Sequence, residues 1–192
     1  ARGVATFDVE ARALEMWSPR NAHLYDVELA TDLDRISVRI GFRSIAVRGT
    51  DILLNGEPVF LRGISLHEEN PLRGGRAHSD QDARLLLGWA KELGSNFVRL
   101  AHYPHNEHMA RVADELGLMV WEEVPVYWTI QWENPDTLAN AKRQLTELML
   151  RDRHAKSLAL LGVGYGLVER AAHHAASAGR DVGARLVERL HG

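Results

Sequence analysis

Ionisable side chains collect at three places in this chain of 192 residues. They are His67-Glu68-Glu69, the stretch Arg99-Leu100-Ala101-His102-Tyr103-Pro104-His105-Asn106, and Glu122-Glu123. A histidine exchanges a proton near neutral pH and can hydrogen-bond a hydroxyl. Paired carboxyls suit general acid/base work. Glu122 and Glu123 are adjacent, however, and neighbouring side chains on a strand point to opposite faces, so the pair cannot act on one bond. One of them must face the interior of whatever the strand helps enclose. A carboxylate is costly there without a partner or a substrate, which makes Glu123 a candidate site residue. The same alternation puts Arg99 and Ala101 on one face and Leu100 and His102 on the other. His102 reads either as a hydroxyl- or proton-handling group at a strand end or as a ring satisfied by backbone under a loop. His67 and Glu68 read either as a polar pair reaching a sugar or as an exposed loop, since Glu-Glu-Asn-Pro is a common surface string. His102, His105 and His108 recur every three residues, but Pro104 interrupts the helix that a metal site with this spacing needs, and no metal is assigned. Trp121, Tyr127, Trp128 and Trp132 suit stacking on the C–H faces of a sugar and packing of a loop on a rim equally well.

Three apolar runs lead into these clusters: Val59-Phe60-Leu61-Arg62-Gly63-Ile64, Asn96-Phe97-Val98-Arg99-Leu100 and Leu118-Met119-Val120-Trp121. Helical patterns separate them. A β/α repeat with charge at the C-terminal strand ends is how a β/α barrel builds a site. Ser79 and Asp82 open the first helix as a capping box, Leu85, Leu86, Trp89 and Leu93 mark its face, and Gly94 closes it. The second starts at Asn106, has Met109, Val112, Ala113 and Leu116 inside, and ends at Gly117. The third has Asn134 as N-cap, Pro135 at its first position, and a stripe of Leu138, Ala141, Leu145, Leu148 and Met149. A fourth apolar run covers residues 157–164, and unbroken runs between helices suit parallel strands covered on both faces. The expected fold is α/β, with residues 49–164 forming the first half of a (β/α)8 barrel. Asn55-Gly56 predicts a tight hairpin turn. Residues 1–48 alternate as strands, too few to bury both faces of a sheet, and are expected to end a larger β-domain. Residues 165–192 form an atypical tail rich in Ala, Arg, Gly and His, with a thin helical stripe of Val182, Leu186 and Leu190.

Composition narrows the function classes. Apolar residues make up 45% and charged residues 26%, a globular mixture. The net charge is −3 and the Lys and Arg residues are dispersed, which argues against nucleic acid as partner. No apolar run approaches the roughly 18 residues of a membrane span, so no membrane partner is expected. Without cysteine there is no disulfide or thiolate chemistry. No signal-peptide pattern opens the chain, and Ala1-Arg2-Gly3-Val4 reads as the interior of a longer sequence, so no compartment is assigned.

Gly41-Phe42-Arg43, Leu54-Asn55-Gly56, Phe60-Leu61-Arg62-Gly63, His67-Glu68, Asn96-Phe97-Val98-Arg99, His102-Tyr103-Pro104 and Val120-Trp121-Glu122-Glu123-Val124-Pro125 together resemble glycoside hydrolase family 2. Trp17-Ser18-Pro19 resembles the end of that family's immunoglobulin-like sandwich, to which residues 1–48 would then belong. The resemblance implies a retaining, exo-acting hydrolase of terminal β-linked sugars such as β-galactosides or β-glucuronides. Two Glu residues about 5–5.5 Å apart would carry its chemistry. By position, His67 and His102 match sugar-contacting histidines, Arg99 a supporting arginine and Glu123 a strand-end carboxylate. With Glu68, Tyr103 and Trp128 they make up the expected substrate-binding set. Some relatives bind Mg²⁺ or Na⁺, but too little of that ligand pattern stands here, and no cofactor is carried over.

The departures from the family pattern bear on activity. After Arg151-Asp152-Arg153 the family's fourth strand ends in Asn-Glu, that Glu being the acid/base. Here Tyr165 and Gly166 hold those positions. The nucleophile would come from a seventh strand, beyond these residues. No catalytic residue is therefore assigned, and the chain is expected to be inactive. The loss of pattern from about residues 161–165 is what a frameshift in GC-rich coding DNA would give. The alternative function is a non-catalytic carbohydrate-binding or scaffold protein that reuses the half barrel. Open strand edges lead us to expect self-association.

Overall fold

A computed structural model describes residues 13–126, 130, 131, 133–153 and 155, and the backbone of 158–163. The tail, Gly166, Tyr127, Trp128 and Trp132 lie outside the described residues. The alternating segments pair as an antiparallel ribbon, β1 (Tyr25–Ala30) with β2 (Arg35–Ile40), in which Val27 faces Val38 and Leu29 faces Ile36. A second antiparallel sheet follows, of β3 (Ile45–Arg48), β4 (Asp51–Leu54) and β5 (Glu57–Pro58). Its turn is the expected one. Asn55 and Gly56 both have positive φ, 54° and 84°, as a primed two-residue turn requires. β3 pairs with β4 in register, Ile45 opposite Leu54, so this hairpin spans the division expected at residue 48.

The rest is a parallel sheet in chain order, β6 (Gly63–Leu66), β7 (Phe97–Leu100), β8 (Met119–Val124) and β9 (Leu158–Val163). Helices α1 (Asp80–Glu92), α2 (Glu107–Leu116) and α3 (Pro135–Asp152) form its crossovers. Period-two alternation sorts the strand residues. Val98, Leu100 and Val120 pack with Ala83, Leu86, Leu87 and Ala90 of α1 and with Met109, Val112 and Ala113 of α2. Arg99, Trp121 and Glu123 take the other face. Gly63 is required where β6 meets β7, because a Cβ there would sit 2.1 Å from the Phe97 carbonyl oxygen.

Two helix faces differ from the sequence expectation. On α1 the buried set is Ala83, Leu86, Leu87 and Ala90, while Leu93 is 71% exposed. The alanines carry little hydrophobic signal, yet they line the contact and turn the face away from Leu93. On α3 the packed residues are Ala141, Leu145 and Leu148, against Val124 and Val126, and Leu138 in the first turn is exposed. The caps follow expectation: the Ser79/Asp82 box on α1, Asn106 and Gly117 around α2, and Asn134 before Pro135 on α3.

A buried residue, Trp17, helps fasten the β-segments to the parallel unit. Trp17 is fully enclosed with Leu54 and Met119, and its indole donates to the Asp114 carbonyl at 2.8 Å. Asn55 Nδ2 donates to the Trp17 carbonyl at 3.0 Å, tying the hairpin to the same point.

Candidate functional site

Residue pairing between β7 and β8 places Arg99 opposite Trp121, and Glu123 follows two residues on along the same face. The Arg99 guanidinium grips the Glu123 carboxylate as a fork, Nη2 to Oε1 at 2.7 Å and Nε to Oε2 at 3.2 Å. Its carbon lies 5.4 Å from the centroid of the Trp121 ring, a cation–π distance. Glu123 is fully buried, so the partner that burial demands is present in Arg99. His102 joins them: its Nδ1 is 3.1 Å from both Glu123 Oε1 and Arg99 Nη2. Arginine can only donate and carboxylate only accept. A proton on Nδ1 is therefore given to Glu123, whereas a bare Nδ1 receives one from Arg99. The tautomer decides whether Nε2 accepts or donates. Strand alternation had put Arg99 and His102 on opposite faces. They meet because β7 ends at Leu100, and the period of two ends with it.

His67 stands edge-on to His102, with ring centroids 5.2 Å apart at 77°, and 6.5 Å from the Tyr103 ring. Thus His67, Arg99, His102, Tyr103 and Glu123 are neighbours above adjacent strands. Glu68 is different from the expectation. Its side chain does not reach outward but is enclosed, with Oε2 taken by Arg76 Nε and Oε1 by the Asn106 backbone N–H. Sequence reasoning missed Arg76, which lies in a loop without periodicity. It also counted Trp121 with the aromatic loop, although the residue stands on β8 beneath Arg99.

Glu122 occupies the helix side of β8. No described group hydrogen-bonds either of its oxygens, and Arg151 Nη2 is 3.6 Å away. Burial, seconded by the neighbouring Asp152 carboxylate, pushes its carboxyl up to about 8. It lies on the opposite face of β8 from Glu123 and cannot share work with it. His105 is fully buried, its Nε2 2.8 Å from the Ala101 carbonyl, and desolvation lowers its pKa. His108 instead contacts Arg111, Nδ1 to Nη2 at 2.5 Å. Among the described residues, no three His, Asp or Glu side chains converge as metal ligands.

The arrangement offers guanidinium and imidazole groups braced by a buried carboxylate, with aromatic rings alongside. Such a surface can hydrogen-bond hydroxyls and hold them in fixed directions.

Comparison with known proteins gives this site a context. Residues 45–175 match the family model described as glycosyl hydrolases family 2, TIM barrel domain. The chain is 31% identical over 170 residues to a β-galactosidase of Thermoanaerobacterium thermosulfurigenes, covering 84% of this chain and 23% of that protein. It is 31% identical over 165 residues to a β-glucuronidase of Paenibacillus borealis, covering 76% of this chain and 27% of that one. Among solved structures, it superimposes with a TM-score of 0.73 on a β-galacturonidase of the family from Eisenbergiella tayi bound to galacturonate. That match has 31% identity and covers 82% of this chain and 29% of the other. The chain thus spans about a quarter of the length of these relatives.

Proposed function

This chain belongs to glycoside hydrolase family 2, and from that premise we propose that it forms the sugar-holding wall of a retaining β-glycosidase site. The substrate class is a terminal β-linked hexose or uronic acid. In this reading residues 1–48 end an immunoglobulin-like sandwich, residues 49–164 form half of the barrel, and 165–192 form a tail rich in Ala, Arg, Gly and His, the first part of which, to residue 175, still falls within the family match. One observation carries the site assignment: Arg99, His102 and Glu123 are locked together at the C-terminal ends of parallel strands, with His67 against His102. That end is where barrels of this architecture bind and transform substrates. Arg99 and His102 hydrogen-bond sugar hydroxyls, and Glu123 fixes both of them. His67 and Tyr103 border the same space, and Trp128 belongs to the expected substrate-binding set on sequence alone.

Hydrolysis with retention needs one carboxyl to protonate the leaving oxygen and a second to form the glycosyl intermediate. Gly166, which the family resemblance puts at the acid/base position, has no side chain to supply. The chain by itself holds sugar without cleaving it. A panel of nitrophenyl β-glycosides tests this with purified protein. No release above buffer is expected, and release that scales with protein concentration refutes the proposal. Calorimetric or NMR titration with the corresponding sugars gives the complementary answer, with weak saturable binding expected.

A further inference from the structure

Glu68 lies next to the sugar-facing histidines yet takes no part in their surface. Its side chain has no exposed area. One carboxylate oxygen accepts from the Asn106 backbone N–H, and Asn106 is the N-cap of α2. The other accepts from Arg76 Nε, in the loop that leaves β6. The Glu68 carbonyl also accepts from the Ala77 N–H at 3.0 Å, and the Ala101 N–H donates to the Leu66 carbonyl at 3.0 Å. The loop itself is closed on a second tie, Asn70 Nδ2 to Asp82 Oδ1 at 2.6 Å. The loops after β6 and β7 are thereby joined at one buried carboxylate. The first carries His67 and the second carries His102 and Tyr103.

We propose that Glu68 is a positioning residue: its buried carboxylate, clamped between Arg76 and the Asn106 N–H, sets His67 and His102 at their edge-on contact. The inference rests on the reading of these histidines as sugar contacts but concerns their mutual placement. Three features favour a clamp over simple filling of space. Both carboxylate oxygens are used. Their partners come from different loops. The anion also sits at the start of α2, where the helix's N–H groups favour negative charge. Placement matters here because a site must be held within about 0.5 Å to bind productively.

The test uses the full chain with labelled histidines. In the parent chain the imidazole C–H resonances of His67 and His102 show a mutual NOE. In Glu68→Ala, well below its melting transition, this NOE is lost and both resonances move. Glu68→Gln keeps an acceptor for the Asn106 N–H and restores the contact in part. D-Galacturonate binding to Glu68→Ala is about tenfold weaker. Unchanged resonances and NOE in folded Glu68→Ala, with only a lower Tm, overturn the proposal. Should that variant fail to fold, an unchanged NOE in both Glu68→Gln and Arg76→Ala overturns it. Absence of any D-galacturonate response in the parent chain counts against the sugar-wall reading instead, while the NOE still decides the role of Glu68.

Discussion

Glu122 and Glu123 are consecutive in sequence and live in opposite surroundings. Glu123 is buried against Arg99, so removing it takes the carboxylate partner from a guanidinium that is itself only 14% exposed. Glu123→Ala is expected to cost about 3 kcal/mol in urea unfolding, the scale for breaking a buried pair. Glu122 is buried without a hydrogen-bond partner among the described residues. Its carboxyl titrates near 4.5 when unfolded and near 8 when folded. Between those values the unfolded chain loses a proton that the folded one keeps, so this residue makes stability fall as pH rises from 4.5 to 8. Below 4.5 both states are protonated and the penalty disappears. Glu122→Gln should therefore raise Tm by about 5 °C at pH 8 and leave it nearly unchanged at pH 4.5. An equal change at both values in a thermal melt contradicts this. The residue types of the site were legible in the sequence: Arg99, His102 and Glu123 stood out as polar ends of apolar runs. What alternation could not supply was the meeting of Arg99 with His102. It depends on how the chain turns after Leu100, where no regular period applies. For the same reason Glu68 looked like a ligand-facing residue, since Arg76 reaches it from an irregular loop.

At the scale of elements, strands and helices were readable because their periods, caps and turn residues agree with one another. The Asn55-Gly56 turn, the Ser79/Asp82 box, and Asn134 before Pro135 each specify one local geometry. The α1 face was misplaced because Ala83 and Ala90, small and weakly apolar, belong with Leu86 and Leu87 to the buried set. Two glycines separate close approach from mere freedom. Gly63 has the Phe97 carbonyl where a Cβ would go, whereas Gly88 in α1 has nothing within 4 Å. Gly88→Ala should stabilise the chain by about 0.5–1 kcal/mol through helix propensity. Gly63→Ala should destabilise it strongly and disturb the β6–β7 pairing. Chemical denaturation of both variants checks the contrast, and equal effects contradict it. Trp17 joins the β-segments to α2 and the hairpin, so Trp17→Ala should cost about 3–5 kcal/mol.

For the whole molecule, the parallel sheet ends at β6 on one side and β9 on the other among the described residues. Unpaired strand edges template further pairing, so we expect the isolated chain to self-associate. Light scattering should show a mass that rises with concentration, and a constant monomer mass contradicts this. Family membership was legible because several short motifs recur in consistent order from Trp17 to Pro125, each tied to a turn, a strand end or a buried contact. The particular sugar was not, because an arginine and a histidine can hydrogen-bond the hydroxyls of many different rings. Titrating the chain with methyl β-D-galactoside, D-glucuronate and D-galacturonate, while following the His67 and His102 ring resonances, shows whether these strand ends hold a sugar. At least one sugar should shift both rings saturably, and Arg99→Ala should abolish the response. No shift with any of the three, or shifts confined to residues away from β6, β7 and β8, would mean that they do not.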